Sequence, residues 1–453
     1  MLVRLSSRVL AAAAAIALLL GPAALRAQDP APPAGSDGED VRLVLSDGSR
    51  SLLRLAMPTA VYDPSLGGSG ALAEAAREAE QTLRDDLEYS GIFRIQGADE
   101  LSVLTLTGNA AGDFEQYRSL GNELVLYVTF KAEDGRLVLE GRIYDLPSGQ
   151  SVLGKRYRGQ PDQARRVAHT FADAIILQFT GRSGIARSSI AFHSDRDGHQ
   201  EIYLMDYDGR NQRRITGHRS TSGFPAWSPT GDAIAYLSYF TTTPTVYYVD
   251  VASGEKIEVF GGGSLNLAPA FSPDGQRIAF AHAQSDANVD IYLCDRRCQN
   301  PQRLTRTGGI DTNPAWSPDG QRIAFTSDRS SRRPHVYLMN ADGSNVQRIS
   351  FEGNYNDGAA WRPDGNALVY ASRRGNKFRV VLTDLVSLET TVLTNGPDSY
   401  ESPSFSPDGK HVVFTAKRGP RAQIHVMRAD GSGWRQLTHD GNNHGPDWSP
   451  LPD

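Results

Sequence analysis

Residue types that could carry catalysis are present in this chain of 453 residues, but their spacing fits no familiar catalytic motif. A hydrolase of the Gly-x-Ser-x-Gly type presents its serine on a tight turn between two glycines. Gly67-Gly68-Ser69-Gly70-Ala71 and Gly181-Arg182-Ser183-Gly184 both miss that pattern. The sequence also lacks a His-Glu-x-x-His pair, a paired-cysteine zinc motif and a phosphate loop. We therefore predict no catalytic residue and no enzyme activity.

Two acidic turns resemble parts of a calcium site. They are Asp195-Arg196-Asp197-Gly198 and Asp206-Tyr207-Asp208-Gly209. Neither has the twelve-residue spacing with a terminal glutamate that a helix-loop-helix calcium loop requires. Because turn geometry alone favours Asp-Gly at the tip of a hairpin, we predict ordinary turns, with no metal and no cofactor.

The chain has two cysteines, Cys294 and Cys298, which repeat alignment places at the ends of a hairpin turn. In an oxidising compartment a disulfide across that turn is favoured over two free thiols or half of a metal site. None of these alternatives makes the cysteines catalytic.

The N-terminus has the pattern of a secretory signal peptide. Arg4 and Arg8 precede an apolar run, residues 9–20, and small residues lead to a cleavage site after Ala27. A membrane anchor is the alternative, but the run is shorter than the roughly 20 residues that span a bilayer. We expect residues 1–27 to be removed on export, with no later membrane insertion.

Charge narrows the class of partner. The chain carries a net charge of −5, which becomes −8 once the three arginines of the signal peptide are removed. A mildly acidic protein is a poor match for nucleic acid or an anionic membrane as its main partner.

The elements after the signal peptide predict a linker and a small domain. Residues 28–40 are rich in Pro, Ala, Gly and acidic residues, which is typical of a flexible linker. Residues 41–181 predict an α+β domain with β segments at 41–45 and 51–60, helices at 71–89 and 162–179, and a hairpin of strands 124–130 and 137–144.

One motif is written six times in residues 182–453. The copies are Pro225-Ala226-Trp227-Ser228-Pro229, Pro269-Ala270-Phe271-Ser272-Pro273, Pro314-Ala315-Trp316-Ser317-Pro318, Ala360-Trp361-Arg362-Pro363, Pro403-Ser404-Phe405-Ser406-Pro407 and Pro446-Asp447-Trp448-Ser449-Pro450. The aromatic residues follow one another at steps of 44, 45, 45, 44 and 43 residues, which is the length of a four-stranded propeller blade. Three β runs, 322–326, 335–339 and 346–349, follow Trp316 and complete one such unit.

The two ends of the repeat array predict how the ring closes. The sixth motif has a first strand but no strands after it, whereas the segments from Ser189, Glu201 and Arg213 match the second to fourth strands of a unit without its own motif. We therefore predict an all-β six-bladed propeller of WD40-like repeats, in which a C-terminal strand completes the first blade and removes open sheet edges.

Three features together resemble the TolB family of the Tol-Pal system. They are Tyr89-Ser90-Gly91-Ile92-Phe93-Arg94, Arg165-Arg166-Val167-Ala168-His169 and the six propeller motifs, in that order. The resemblance implies a monomeric periplasmic scaffold that bridges the lipoprotein Pal and the C-terminal domain of inner-membrane TolA. Such a protein maintains outer-membrane integrity and supports constriction of that membrane during cell division.

The resemblance also implies two binding sites. Pal is expected on the loops that enter the innermost strands around the central channel: His218, Arg219, Ser220, Leu265, Asn266, Asp311, Thr312, Asn313, Tyr355, Asn356, Asp357, Tyr400, Glu401, Asn442, Asn443 and His444. TolA is expected to pair with an extended segment: Val41, Arg42, Leu43, Val44, Leu45, Ser46 and Asp47. In the family, Pal binding is proposed to hide that segment from TolA.

Two other function classes remain open on the residues alone. A propeller could bind a small ligand or a metal as a sensor, and ligand-dependent melting without a protein partner would identify it. A propeller hydrolase or lyase would need acid, base or metal groups converging on the inner strands, and it is the less favoured of the two.

Overall fold

The structure, a computed structural model, describes residues 52–107, 110–285, 288–330 and 332–452. The predicted signal peptide, the linker and the segment 41–47 lie outside these residues. The chain divides into two compact units. The first contains Leu53–Thr82 and Ile95–Ala168, and the second contains Leu83–Arg94 and the chain from His169 onward.

The first unit is built on a six-stranded sheet. Its strands are β1 (Leu53–Ala56), β2 (Val61–Tyr62), β3 (Phe93–Gln96), β4 (Leu124–Glu133), β5 (Arg136–Asp145) and β6 (Ser151–Gly159). The order is β3-β1-β4-β5-β6, and β2 also pairs with β4. The predicted β4–β5 hairpin is present, and its turn residues Asp134 and Gly135 have φ of 48° and 72°. Positive φ at both turn positions fits the right-handed twist of the strands.

Four helices accompany these strands: α1 (Ala71–Tyr89), α2 (Ala98–Leu101), α3 (Ala110–Ser119) and α4 (Ala164–Thr180). Helix α1 has the predicted bounds, and most of its apolar stripe, which includes Ala76 and Ala79, is buried. The predicted second helix begins instead with a 3-10 turn, Pro161–Gln163, before α4. Among the described residues, no helix combines the length and the apolar character needed to cross a membrane.

The second unit contains the repeat array, which forms six four-stranded sheets. The strands are β7 (Ser189–Ser194), β8 (Glu201–Asp206), β9 (Arg213–Arg214), β10 (Ser222–Trp227), β11 (Ala233–Ser238), β12 (Thr245–Asp250), β13 (Lys256–Phe260), β14 (Leu265–Phe271), β15 (Arg277–Ala283), β16 (Asp290–Asp295), β17 (Gln302–Arg303), β18 (Asp311–Trp316), β19 (Arg322–Ser327), β20 (His335–Asn340), β21 (Gln347–Arg348), β22 (Asn356–Trp361), β23 (Ala367–Arg374), β24 (Lys377–Asp384), β25 (Thr390–Val392), β26 (Ser399–Phe405), β27 (His411–Arg418), β28 (Arg421–Arg428), β29 (Arg435–Gln436) and β30 (Asn443–Trp448). Blade 1 has the order β30-β7-β8-β9, and blades 2 to 6 are β10–β13, β14–β17, β18–β21, β22–β25 and β26–β29.

The motif aromatics fill the spaces between neighbouring blades. Trp316 of blade 4 packs in one buried cluster with Ile291 and Leu293 of blade 3. Trp361 of blade 5 likewise packs with Val336 and Ile349 of blade 4. The hydrophobic core of the propeller is therefore distributed over the seams between its sheets, because each sheet is covered by its neighbours.

The C-terminal strand closes the ring as predicted. Strand β30 pairs antiparallel with β7, with His444 opposite His193 and Trp448 opposite Ile190. The indole Nε1 of Trp448 also donates a 2.8 Å hydrogen bond to the hydroxyl of Ser188. The first blade thus gains its innermost strand from the far end of the chain, and β7 is paired on both of its sides.

Candidate partner-binding face

The innermost strands of the six blades surround a central cavity of about 870 Å³. We call the end of the cavity where these strands begin the mouth. Within the described residues, the charged side chains that line the cavity are Asp357, Glu401, Asp447 and Lys417. The cavity is therefore acidic overall.

Every innermost strand is irregular at the same point near the mouth. Its pairing with the second strand shifts register there in all six blades. The residues at the shift have positive φ: Phe224 (54°), Ala268 (46°), Asn313 (50°), Gly358 (65°), Ser402 (51°) and Gly445 (56°). A bulge of this kind bends the strand and redirects its side chains, and here all six bulge residues lie around the cavity.

Five of the predicted binding residues occupy the first buried position of an innermost strand: Asn266, Asp311, Asn356, Tyr400 and Asn443. Their side chains bond within the propeller. Asn266 donates to the carbonyls of Pro244 and Gly262 at 2.7 and 2.9 Å, and Arg329 donates to Asp311 at 3.0 Å. Asn443 donates to Oε1 of Gln423 at 2.9 Å. These residues hold the loops of the mouth in place, and their burial removes their side chains from direct contact with a partner.

The next positions along the strands face the mouth. Nδ2 of Asn313 in blade 4 donates a 2.6 Å hydrogen bond to Oδ1 of Asp357 in blade 5, and the hydroxyl of Thr326 donates to the same oxygen at 2.8 Å. Thr312, one residue before Asn313, is partly exposed. Tyr355 packs edge-on against Phe378, with 5.4 Å between ring centroids. This part of the predicted site is brought together by the fold.

Glu401 extends the same arc into blade 6. Burial raises the pKa of its carboxyl, and the ammonium group of Lys417 works against that shift. Asp357 adds to the rise by like-charge repulsion. The carboxylate of Glu401 is therefore incompletely solvated, and a positively charged group of a partner could pair with it.

His218, one of the predicted residues, lies in an aromatic patch of blade 2. Nε2 of His218 lies 2.7 Å from the hydroxyl of Tyr236, and its ring lies 4.7 Å from that of Phe240. Burial lowers the pKa of His218. Arg219 and Ser220 follow, with φ of 55° at Arg219 and a 2.7 Å hydrogen bond from its backbone N–H to Glu201. Leu265 is partly exposed at the start of blade 3.

Blade 1 contributes a stacked histidine pair. The rings of His444 and His193 lie 5.5 Å apart. Burial lowers the pKa of both, to about 3 for His193, where the neighbouring imidazole adds to the effect. Asn442 beside them bonds Asp195, with its Nδ2 2.8 Å from the carboxylate. Neutral histidines here present an uncharged surface to the mouth.

Asp447 lies deeper, where the ring closes. Its Oδ2 accepts a 2.8 Å hydrogen bond from the backbone N–H of Trp227, and its Oδ1 accepts one of 2.9 Å from Ser404. Burial of the carboxyl raises its pKa to about 6. Asp447 was not among the predicted site residues, although it is the one acidic residue between the Pro and the aromatic of the six motifs.

Sequence reasoning also missed the exposed apolar residues around the mouth. Phe224, Tyr239, Phe240, Ile310 and Phe351 are 44%, 41%, 59%, 51% and 61% exposed. Phe224 is notable because a bulky side chain rarely adopts a positive φ, and such strain is concentrated at functional positions. Phe224 stands directly before the proline of its motif copy, Gly-Phe-Pro-Ala-Trp, and no other copy has an aromatic residue at that position. This difference was the signal available in the sequence.

The propeller face away from the mouth is partly covered by the chain itself. Tyr89, in the Leu83–Arg94 segment of the second unit, stacks on His411 with 4.3 Å between ring centroids. The guanidinium of Arg435 lies 4.8 Å from the centre of the same Tyr89 ring. His411 begins β27, at the end of that strand farther from the mouth. These two contacts cover part of the propeller face away from the mouth.

Other candidates have simpler roles. Cys294 and Cys298 form a disulfide in a turn of blade 3. The acidic turns at 195–198 and 206–209 are hairpin turns with Gly198 and Gly209 at φ of 93° and 92°. In the described ranges, no group of three or more His, Cys, Asp or Glu side chains could hold a metal ion.

Comparison with known proteins decides the family. Residues 177–452 match the TolB beta propeller domain, and residues 53–152 match the TolB amino-terminal domain. The chain belongs to the TolB family.

Relatives with curated descriptions agree with this assignment. The chain is 34% identical over 248 residues to a Tol-Pal system protein TolB of Desulfosudis oleivorans, which covers 54% of this chain and 56% of the relative. It is 32% identical over 249 residues to a TolB homolog of Chlorobaculum tepidum, covering 55% and 56%. The chain thus matches little more than half the length of these relatives.

A solved TolB structure extends the similarity. The crystal structure of TolB from Acinetobacter baumannii aligns with a TM-score of 0.74 and 26% identity. The alignment covers 89% of this chain and 98% of that one. It therefore includes residues of both the α+β domain and the propeller.

Proposed function

We propose that this protein is a periplasmic, non-enzymatic scaffold of the Tol-Pal system that bridges the lipoprotein Pal and TolA. In this role it maintains the outer membrane and supports its constriction during division. Membership of the TolB family is the observation that carries the proposal. The open mouth of the propeller supports it, because varied polar loops on a rigid ring are typical of recognition surfaces.

Pal is proposed to bind at the mouth. The side chains available to it include the exposed Arg219 and Phe224 and the partly exposed ones: Thr312, Asn313, Tyr355, Asp357, Glu401 and His444. The buried first-position residues would act indirectly, by fixing the loops. Since a few central contacts carry most of the energy of an interface, the residues nearest the cavity should dominate.

TolA is proposed to bind the segment Val41–Leu45 with Ser46 and Asp47, by pairing as an additional strand. The alternation of apolar and polar residues in Val41-Arg42-Leu43 suits an extended strand that adds to an exposed sheet edge. Main-chain hydrogen bonds would supply much of the affinity, and the alternate side chains would supply specificity.

A binding experiment tests both sites. The mature protein from Gln28 and a shorter form from Arg50 are compared for binding to the soluble domain of Pal and to the C-terminal domain of TolA. Pal should bind both forms, whereas TolA should bind only the longer one. If neither partner binds either form, the proposal is wrong and the similarity concerns the fold alone.

A variant at the mouth locates the Pal site. Thr312→Arg places a long charged side chain beside Asn313 and should lower the affinity for Pal by at least about tenfold. Thr391→Arg, on the exposed outermost strand β25, is the matched control and should bind as the unmodified protein does. Equal affinities for the two variants would place the Pal site elsewhere.

A further inference from the structure

The hairpins between the second and third strands differ among the blades in how far regular strand pairing continues. In blades 1 to 4 the last residue pairs are Ser194 with Glu201, Ser238 with Thr245, His282 with Asp290, and Ser327 with His335. Each of these pairs is level with the first buried position of its innermost strand. In these four blades, regular pairing of the hairpin therefore ends at that level.

Regular pairing continues further in two neighbouring hairpins. In blade 5 pairing runs two residues beyond the equivalent Ser372, with Arg373 opposite Phe378 and Arg374 opposite Lys377. In blade 6 it runs two residues beyond Ala416, with Lys417 opposite Ala422 and Arg418 opposite Arg421. The connection has six residues in blades 5 and 6, 373–378 and 417–422, and also in blades 1 and 2, 195–200 and 239–244. The two hairpins are therefore more regularly paired than the others, but they are not longer.

The residues of these additional pairs are almost all basic. Six of the eight are Arg or Lys and none is acidic, in a chain whose net charge is −5. We call residues 373–378 and 417–422 the basic ridge. Like charges directly opposite each other weaken a strand pair, and both hairpins have such a pair at the tip, Arg374 with Lys377 and Arg418 with Arg421. Local stability alone does not favour this arrangement.

Only part of the charge is neutralised. Glu352 bonds Arg374 at 2.5 Å, and Asp398 bonds Arg418 at 3.0 Å. The other four basic residues form no ion pair within the described ranges: Arg373, Lys377, Lys417 and Arg421. Three of them are exposed and Lys377 is partly exposed. The ridge therefore presents an excess of positive charge to solvent.

The ridge adjoins the central cavity. Phe378 and Lys417 belong to the ridge and also line the cavity, so the two hairpins form one wall of the mouth. A protein that fills the mouth therefore contacts the ridge with its side.

We propose that the basic ridge docks an acidic surface of the protein that binds at the mouth and accelerates its association. The inference rests on the proposed function for the existence of that partner, and adds the chemistry of one side of the interface. Exposed charges near the edge of an interface act mainly on the association rate and on its salt dependence. Because its basic side chains are exposed, the ridge should act mainly on the association rate.

The test compares two charge reversals. Arg373→Glu with Arg421→Glu changes the ridge. Arg213→Glu with Arg297→Glu makes the same change in charge at exposed arginines that lie at the end of the blades away from the mouth. Association and dissociation of the soluble domain of Pal are followed by stopped-flow or surface plasmon resonance at about 50 mM and about 300 mM salt.

The ridge variant should associate about tenfold more slowly at low salt, with a smaller difference at high salt. Its dissociation rate, and both rates of the control, should stay within about twofold of the unmodified protein. Arg373→Gln with Arg421→Gln should give an intermediate rate, and unchanged thermal melting of all variants shows that they fold.

Each other result has a distinct meaning. If the unmodified protein binds Pal and the ridge variant associates like the control, the ridge inference is wrong and the proposed function stands. If the unmodified protein does not bind Pal, the proposed function is wrong and the ridge inference falls with it. If the ridge variant loses binding only to vesicles of phosphatidylglycerol and phosphatidylethanolamine, the ridge is a membrane contact and the inference is overturned.

Discussion

The backbone N–H of Trp227 donates a 2.8 Å hydrogen bond to Oδ2 of Asp447, and this bond ties blade 2 to the strand that closes blade 1. The hydroxyl of Ser404 in blade 6 donates to the other carboxylate oxygen at 2.9 Å. Asp447 therefore links three consecutive blades at the seam where the two ends of the array meet. The equivalent positions in the other innermost strands are Ala226, Ala270, Ala315, Ala360 and Ser404.

The stability of the protein should depend on the protonation of Asp447. Burial raises its pKa from an ordinary value near 3.8 to about 6, so the folded state binds this proton more tightly than the unfolded state. The resulting stabilisation is complete below about pH 4 and is lost as the pH rises through 6. Its size is at most about 3 kcal/mol, at roughly 1.4 kcal/mol per pKa unit.

The variant Asp447→Asn isolates this contribution, because an amide does not titrate. The free energy of unfolding of the unmodified protein, minus that of the variant, should fall by about 1 to 3 kcal/mol between pH 4.5 and 7.5. Urea denaturation at several pH values measures this difference, in which the contributions of all other titrating groups cancel. A difference that is constant over this range would show that the pKa of Asp447 is not raised.

We expect Phe224 to strengthen binding of Pal without stabilising the fold. Glycine adopts a φ of 54° without strain, so Phe224→Gly should leave the free energy of unfolding unchanged or raise it by up to about 1 kcal/mol. The same change removes a side chain that is 44% exposed at the mouth and should weaken Pal binding by at least about tenfold. Denaturation and titration calorimetry measure the two effects.

Val386→Gly is the control for this variant. Val386 is 86% exposed in the turn after β24, at the end of the blade away from the mouth. Its replacement should not alter Pal binding. If Phe224→Gly binds Pal with unchanged affinity, the side chain of Phe224 has no role in recognition.

Local sequence signals predicted most of the propeller. The 44-residue period, the alternation of buried and exposed residues and the Asp-Gly turns are properties of short segments, and they gave the blade number, the strands of blade 4 to within one residue and the closing strand. The helix Ala71–Tyr89 was predicted equally well because its apolar stripe is continuous. These features need no knowledge of distant contacts.

The site was harder to predict because burial at the mouth is set by distant partners. Asn266 is buried because His282 and the carbonyl of Pro244 bond its side chain, and both lie at least 16 residues away. The paired hairpins of the basic ridge depend on where strand pairing stops, which the repeat motif does not encode. The bulge at Phe224 likewise follows from the register of β10 on β11.

The disulfide should make a modest contribution to stability. Cys294 and Cys298 are four residues apart, and closing so short a loop restricts the unfolded chain by only about 2 kcal/mol. Dithiothreitol should lower the urea midpoint of the unmodified protein accordingly. The variant Cys294→Ala with Cys298→Ala should show no response to the reductant, whereas equal responses would mean that the reductant acts elsewhere.

The hydrogen bonds of the buried Asp86 side chain should contribute to the stability of the second unit. The hydroxyl of Tyr207 donates a 2.6 Å hydrogen bond to its Oδ1, and Nδ1 of His169 lies 2.7 Å from its Oδ2. All three side chains are at most 4% exposed. Burial, followed by the charge of Asp86, raises the pKa of Tyr207 well above its usual value, so the hydroxyl remains a donor at any physiological pH.

Removal of that donor should be costly. Tyr207→Phe keeps the ring but leaves one carboxylate oxygen of Asp86 without the hydroxyl, and a buried group that loses its partner costs about 1 to 3 kcal/mol. Tyr239→Phe, which removes a hydroxyl from a side chain that is 41% exposed, should cost less than about 0.5 kcal/mol. Urea denaturation of both variants measures the difference. Equal costs would mean that water replaces the Tyr207 hydroxyl, and that Asp86 is less enclosed than its burial indicates.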